Sequence, residues 1–346
     1  MKIRWLVAAM ALGMAVAGTR TAAKDATPKG PEEDGTKPAL VKIAGEASMD
    51  SHAFQYLTEL SDEIGGRVTG TPSAQKAVDW GVAKMKSIGL QNVRAEKWTM
   101  WKGWTRGAAQ AELLAPMRHT LSVDAMGWTG STPAGGADGD VATANLFNLD
   151  EEMKDTTRFR GKIVMMKPEG TPKKNFWLIF AQFGDFLTEL QKAGAIAVIG
   201  GQGGFKAEGM HLTHTGILGF AEDFPIPVVD MTNEDQSQLE RFIAAGKPVR
   251  MHINVQNKFT DGPVESANVV GEIVGREHPE EIVVVGAHLD SWDLSEGATD
   301  NGTGSTSVLG AAEAIAKSGM RPRRTIRFVL FTGEEQGLLG SLAYTK

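Results

Sequence analysis

Apolar residues recur at helical spacing in the first third of the chain. They predict a helix from about Phe54 to Ile64, which Gly65 ends. The stretch TGTPSAQKAVDWGVAKMKSIGL then predicts a turn followed by a second helix that finishes at Gly89. The chain therefore opens its globular part with two amphipathic helices.

Short apolar runs alternate with helical patterns farther along the chain. Helices are expected near residues 176–193, 234–245 and 304–317. Strands are expected at residues 161–167, 195–200, 226–230, 281–288 and 324–332. Strands that are apolar throughout and alternate with helices favour an α/β fold built on a doubly wound, mostly parallel sheet covered on both faces.

Composition divides the chain into parts. The stretch at 24–38 is polar and rich in proline and glycine, and the stretch at 126–145 is small and rich in glycine. We expect a signal peptide at 1–23, a linker at 24–45, the first part of the main domain at 46–125, an inserted α/β module at 126–250 and the second part of the main domain at 251–346.

The N-terminus and the composition bear on location. Lys2 and Arg4 precede an apolar run, and small residues up to Ala23 offer a cleavage site, which is the pattern of a secretory signal peptide. We therefore expect a secreted or periplasmic protein with no membrane span. The chain has no cysteine, which excludes thiolate ligands and cysteine nucleophiles, and its net charge of −6 argues against a nucleic-acid partner.

Ionisable residues cluster where two predicted strands end. In the stretch VVVGAHLDSWDLSEGATDNGTGS, His288 and Asp290 follow the first strand and Asp300 lies in the loop beyond it. The second strand ends in TGEEQG, which carries Glu334 and Glu335. Each motif alone is commonly a surface pair or a turn, but ligands bind at the carboxyl ends of such strands, and imidazole with carboxylates suits zinc or a similar divalent ion.

The residue types also predict roles within such a site. Asp290, two residues from His288 in extended chain, would accept the other ring N–H and fix the imidazole tautomer. Of Glu334 and Glu335, one would bind metal and the other would take a proton from water, because both face the pocket where the strand breaks at Gly333.

The motifs GAHLDSWD, GATDNGTGS and RPRRTIRFVLFTGEEQGLLGS resemble the core of the dinuclear zinc exopeptidase family, and SWD and RPRRT most resemble its carboxypeptidase Q-like branch. The segments GKIVMM, QKAGAIAVIGG and IPVVDM are similar to a protease-associated domain. The likeness covers nearly all of the chain after the signal peptide. It implies a zinc-dependent aminopeptidase or dipeptidase that hydrolyses short peptides, and it implies a homodimer.

The resemblance also implies a role for each site residue. His288 would bind one zinc ion, Asp300 would bridge both ions, and Glu335 would bind the second ion. A non-proline cis peptide would join Asp300 to Asn301. Glu334 would be the general base, and Asp290 would orient His288. Two zinc ions at a complete site would activate the attacking water and polarise the scissile carbonyl.

The sequence departs from the family pattern in one respect. The family uses two further ligands, an aspartate and a histidine, after the glutamate pair, whereas eleven residues follow Glu335 and no histidine follows His288. His211 and His214, in the expected insert, are more typical of loop histidines. We therefore expect an incomplete metal site, an incomplete sheet and less than full activity from the 346 residues.

Two other readings stay open. Glutaminyl cyclisation uses the same fold with one zinc ion, although the bridging ligand set argues against it. The second is a non-catalytic exported module, or an inactive fragment, that binds peptides through the insert. Metal content separates the enzyme from the binding module, which needs no ion.

Overall fold

The computed structural model describes residues 36–172, 174, 176–200 and 224–346. The expected signal peptide and the pair His211 and His214 lie outside these residues. None of the helices in the described part is both long and apolar enough to cross a membrane.

Eight α-helices are described, in chain order α1 (Thr36–Met49), α2 (Ala53–Thr58), α3 (Pro72–Ile88), α4 (Leu149–Glu152), α5 (Phe176–Ala193), α6 (Asn233–Ala244), α7 (Thr303–Lys317) and α8 (Leu339–Tyr344). Short π-helical turns occupy Glu59–Ile64 and Ala298–Gly302, and 3₁₀ turns occupy Leu146–Asn148 and Thr157–Phe159. Fourteen strands are described: β1 (Gln91–Met100), β2 (Trp104–Thr105), β3 (Ala109–Ala115), β4 (His119–Leu121), β5 (Val123–Ala125), β6 (Ala137–Asn145), β7 (Lys162–Lys167), β8 (Ala197–Gly200), β9 (Val228–Met231), β10 (Arg250–Val255), β11 (Lys258–Phe259), β12 (Val264–Ile273), β13 (His278–His288) and β14 (Arg324–Phe331).

The two predicted N-terminal helices are confirmed, and local chemistry explains their ends. Helix α3 begins where the Thr71 side chain accepts a hydrogen bond from the Ala74 N–H, with Pro72 in the first turn. It ends at Gly89, whose φ of 88° closes the helix in the left-handed region. The other predicted helix, α2, continues as a π-helical turn from Glu59 and stops at Gly65, where φ is 76°.

Helix α1 begins inside the expected linker at 24–45. It contacts α7, and its Ala39 and Ile43, spaced one helical turn apart, are half-buried, while Leu40 and Val41 are exposed. Residues 36–45 are therefore helical and belong to an element that contacts α7, which differs from the linker expected for them.

The sheet that carries the predicted site has four strands in the order β1-β12-β14-β13. Only β13 and β14 are parallel, joined through α7, and the β1–β12 and β12–β14 pairs are antiparallel. The expectation of a mostly parallel sheet is wrong for these strands, because β12 returns antiparallel to both of its neighbours. The fold is a mixed α/β one. Helices α3 and α7 pack with Val269, Phe328 and Leu330 in one buried cluster.

Strand β13 lies at the edge of this sheet within the described part of the chain. Its Ile282, Val283 and Val284 are 43–47% exposed. Strand β14 is paired on both sides, with β12 and β13. The exposed apolar edge belongs to the preceding strand.

A second sheet has eight strands in the order β4-β3-β10-β6-β7-β8-β9-β5. The strands and helices predicted between residues 161 and 245 are confirmed in β7, β8, β9, α5 and α6. Strands β3, β4, β5 and β10 also join this sheet, so its strands extend from Ala109 to Val255, beyond the 126 and 250 expected for the insert.

Buried tryptophans lie where the two sheets meet. Trp98 of β1 packs in one cluster with Trp128 and Phe186, which belong to the part of the chain that builds the second sheet. The Trp104 indole N–H donates to the Thr129 carbonyl at 3.0 Å. Trp98 and Trp104 therefore belong to the hydrophobic core.

Candidate metal centre

His288 ends strand β13, directly beside the end of β14. The Leu289 N–H donates to the Phe331 carbonyl at 2.6 Å, which fixes the two strand ends against each other. The imidazole is 14% exposed, and its Nε2 lies 3.1 Å from Asp300 Oδ1 and 3.8 Å from Glu334 Oε2. The parallel pairing thus brings together side chains from two predicted strand ends.

Asp300 lies in the turn that begins α7. The expected non-proline cis peptide between Asp300 and Asn301 is present. The Asn301 side-chain oxygen accepts the Gly304 N–H at 3.0 Å in the first turn of α7. The Asp300 side chain is half exposed, and its carboxylate faces the His288 ring.

Glu334 and Glu335 follow Gly333, where β14 breaks. Gly333 has a φ of 72°, and a Cβ there would meet the Trp98 ring at 2.6 Å, so the turn requires glycine. The Glu334 side chain remains 37% exposed. Glu335 Oε1 is buried and has no hydrogen-bond partner within the described part of the chain.

Asp290 is buried beneath these residues. Its carboxylate accepts the Thr69 hydroxyl at 3.0 Å and the backbone N–H groups of Glu334 and Glu335 at 3.3 and 3.4 Å. The nearer Asp290 atom to His288 Nδ1 is the backbone carbonyl oxygen at 3.1 Å, with carboxylate Oδ1 at 3.6 Å. Asp290 therefore touches both strand ends rather than the histidine alone.

The donor set fits a divalent cation. His288, Asp300 and Glu335 each offer one ligand atom, and these atoms lie within 4.8 Å of one another. One imidazole nitrogen and carboxylate oxygens, without sulfur, suit zinc. The orphaned Glu335 oxygen points to the same conclusion, because a buried carboxylate atom without a partner is costly unless a cation satisfies it.

The electrostatics of the site agree with this fit. Burial, followed by the charges of Asp290 and Asp300, raises the pKa of Glu335 to about 9. Burial lowers the pKa of His288, but hydrogen bonding to Asp290 and Asp300 outweighs it and raises that pKa to about 11. Crowded acids thus retain protons that a bound cation would displace.

Another group in the described part of the chain meets the same distance condition: His278, Glu280 and Glu281. It lies at the start of the edge strand, where none of the three is buried, and Glu281 pairs with Arg324. Solvated acids of this kind need no ion. The remaining described histidines, His52, His119 and His252, interact with carboxylates elsewhere in the fold.

Sequence reasoning missed Arg67 and Thr69, which are both fully buried beside the site. The Arg67 guanidinium donates to carbonyl oxygens of the loop after His288, and Thr69 donates to Asp290. Burial lowers the pKa of Arg67 to about 10, against the opposing effect of Asp290, Glu335 and Asp300. Their one sequence signal is polarity next to Gly65-Gly66, which is equally typical of a turn.

Comparisons with known proteins agree with this geometry. Residues 268–346 match the family model "Peptidase family M28". The chain is 32% identical to carboxypeptidase Q of Mus musculus over 308 residues, covering 88% of this chain and 63% of that protein. A peptidase M28 precursor from Shewanella amazonensis aligns with a TM-score of 0.78 at 28% identity, over 90% of this chain and 71% of the other.

A zinc aminopeptidase from Bacillus subtilis shares the fold, with a TM-score of 0.61 at 24% identity over 85% of this chain and 64% of the other. The chain is thus a mixed α/β protein in which the side chains of one histidine and two carboxylates are grouped closely enough to hold a metal ion. Residues 268–346 match peptidase family M28, and the resemblance to the zinc exopeptidases is confirmed. The chain spans 63% of the length of the carboxypeptidase Q relative.

Proposed function

We propose that this chain acts as a zinc-dependent exopeptidase on short peptides. The observation that carries the proposal is the grouping of the His288, Asp300 and Glu335 ligand atoms within 4.8 Å at the ends of two parallel strands. The match of residues 268–346 to the M28 peptidases and the named carboxypeptidase Q relative support it.

His288 would hold one zinc ion, Asp300 would bridge to a second, and Glu335 would hold that second ion. Asp300 suits the bridging position because its Oδ1 lies 3.1 Å from His288 Nε2 and it belongs to the same ligand group as Glu335. Zinc bound there would lower the pKa of a water molecule and polarise the scissile carbonyl of the peptide.

Glu334 would act as the general base. Its partly exposed carboxylate lies 3.8 Å from His288 Nε2, and it would take a proton from the attacking water and return it to the leaving amine. Burial, the largest cause, raises the pKa of Glu334, with Asp290 and Asp300 acting in the same direction and His288 against it. A raised pKa makes the carboxylate a stronger base near neutral pH.

Further parts of the proposal rest on the sequence and on the relatives. We propose export through residues 1–23, a homodimer, and a dipeptide or short peptide as substrate. We also propose that the four-stranded sheet is part of a doubly wound sheet and that the eight-stranded sheet is a protease-associated-like insert.

The test is zinc content together with dipeptide hydrolysis. The unaltered chain should bind zinc, and His288→Asn should lose it. His278→Asn is the matched control and should retain zinc, since His278 belongs to the solvated group at the start of β13. Zinc retention by His288→Asn would contradict the assignment of the metal centre.

Glu334→Gln separates metal binding from chemistry. It should retain zinc and lower the rate of hydrolysis by about 10²–10⁴-fold, the usual loss on removing a general base. Hydrolysis at the unaltered rate would refute the role of Glu334. If the unaltered chain binds zinc but gives no product from dipeptides, the metal centre is supported and the exopeptidase proposal is refuted.

A further inference from the structure

Arg67 is a fully buried arginine whose hydrogen bonds, within the described part of the chain, go to backbone carbonyls and to no carboxylate. Nε donates to the Leu289 carbonyl at 2.5 Å, and Nη2 donates to that of Gly297 at 2.8 Å. Nη1 donates to Glu296 at 2.9 Å and to Gly65 at 3.0 Å. Three of its four acceptors therefore belong to residues 289–297.

Residues 289–297 form the loop that joins His288 to the turn containing Asp300, and we call them the ligand loop. The loop packs tightly on the segment that carries Arg67. A Cβ on Gly66 would fall 2.6 Å from Asp293 Cα, and a Cβ on Gly297 would fall 2.9 Å from Arg67 Nη1. The guanidinium thus sits inside the loop, where little else fits.

Thr69 makes the corresponding connection to the other strand end. Its hydroxyl donates to Asp290 Oδ2 at 3.0 Å and accepts the Gly333 N–H at 2.8 Å. Gly333 immediately precedes Glu334 and Glu335, so one buried hydroxyl links the ligand loop to the turn that carries both glutamates. In the chain, the ligand loop and Gly333 lie more than 200 residues after Arg67 and Thr69.

We propose that Arg67 and Thr69 are positioning residues that fix the spacing between the histidine, aspartate and glutamate ligands of the metal centre. Neither residue is a ligand. The planar guanidinium presents several donors in a rigid fork, and a lysine ammonium at the same place would keep the charge without matching four separate carbonyls. The inference rests on the proposed function, in which these ligands hold zinc.

The test compares zinc affinity, by competition with a chromogenic chelator, for the full chain and four variants. Thr69→Val removes the hydroxyl at nearly constant volume, and Thr69→Ser retains it. Arg67→Lys retains the charge but not the fork, and Arg94→Lys is a matched control at a partly exposed arginine that pairs with Glu96. Circular dichroism and the thermal midpoint establish that each variant is folded.

We expect Thr69→Val and Arg67→Lys to weaken zinc binding by about 10–100-fold, as loss of groups that orient metal ligands commonly does. Thr69→Ser and Arg94→Lys should stay within about threefold of the unaltered chain. The absorption spectrum of the cobalt-substituted chain should change in the first two variants only, because it reports ligand geometry. If Arg67→Lys does not fold, the comparison of Thr69→Val with Thr69→Ser tests the positioning role.

A metal-free measurement separates this inference from the proposed function. Backbone amides of the ligand loop and of residues 333–336 should exchange hydrogen at least about tenfold faster in Thr69→Val than in Thr69→Ser. Zinc affinity and exchange both unchanged in Thr69→Val would overturn the positioning role while leaving the exopeptidase proposal intact. Faster exchange in a chain that binds no zinc would retain the positioning of the loop and sink the proposed function.

Discussion

Filling the proposed two-ion centre of this chain with zinc should release about two protons in total at pH 7, one from each of two ligands. In the metal-free chain the pKa of His288 is about 11 and that of Glu335 is about 9. Both groups therefore carry a proton at pH 7, with Glu335 about 99% protonated. Each must lose its proton to bind the ion, because a metal accepts a neutral imidazole and an ionised carboxylate.

The sign of the pH dependence follows from these values. Protons compete with zinc wherever the pH lies below both pKa values, so the overall apparent constant for filling the centre should rise by up to about 100-fold per pH unit between pH 6 and 8. The gain should fall to about tenfold per unit once the pH passes the pKa of Glu335, near 9.

Isothermal titration calorimetry measures the release directly. The observed heat is compared in buffers with different enthalpies of ionisation at one pH, and the slope gives the number of protons released. Glu335→Gln removes one titrating ligand, so its release should fall to about one proton. Release below about half a proton per zinc from the unaltered chain would refute the reasoning, since it would mean that the ligands are already deprotonated before the ion binds.

Three further predictions concern stability. The ion pair between Arg106 and Asp293 has a distance of 2.6 Å, and the Arg106 side chain is only 9% exposed. A double-mutant cycle with Arg106→Met and Asp293→Asn should give a coupling free energy of about 1.5–3 kcal/mol, and a value below about 0.5 kcal/mol would contradict this expectation. In denaturant titrations, Gly66→Ala should destabilise the fold by about 1–3 kcal/mol, because its Cβ would fall 2.6 Å from the Asp293 backbone. The control Gly45→Ala in α1, where the added Cβ meets open space, should be neutral or stabilising. Burial raises the pKa of Glu313, but hydrogen bonding to His52 outweighs burial, and the net pKa is lowered. The stabilising contribution of Glu313 is therefore present above about pH 4.5 and is lost as the pH falls through the folded pKa. Glu313→Gln should flatten the acid side of the profile of thermal midpoint against pH.

Local chemistry made much of the fold predictable. The α3 boundaries follow from Thr71, Pro72 and Gly89, and α5 and α7 lie within one residue of their predicted limits. What the pattern could not predict is which strands pair. The antiparallel contacts of β12 with β1 and β14, and of β10 with β3, join segments that lie far apart in the chain, and the apolar and polar pattern of a strand does not specify the direction of its neighbour.

The candidate metal ligands were predictable for a different reason. His288, Asp300 and Glu335 are ionisable residues placed just beyond apolar strands, and parallel pairing of β13 with β14 is enough to bring them together. Arg67 had no such signal. Its side chain meets the ligand loop through backbone carbonyls, which every residue has, so nothing in the local sequence distinguishes it from a surface arginine.

The role predicted for Asp290 covers only part of what its carboxylate contacts in the structure. Its spacing from His288 predicts a carboxylate that serves the imidazole. The structure gives both carboxylate oxygens other donors, since Oδ1 accepts the Glu334 N–H while Oδ2 accepts the Thr69 hydroxyl and the Glu335 N–H. A buried carboxylate with these partners ties the turn of the glutamates to the strand of the histidine. Loss of its charge should therefore disturb both sides of the metal centre together, because the same two oxygens hold the Glu334–Glu335 backbone and face the His288 ring.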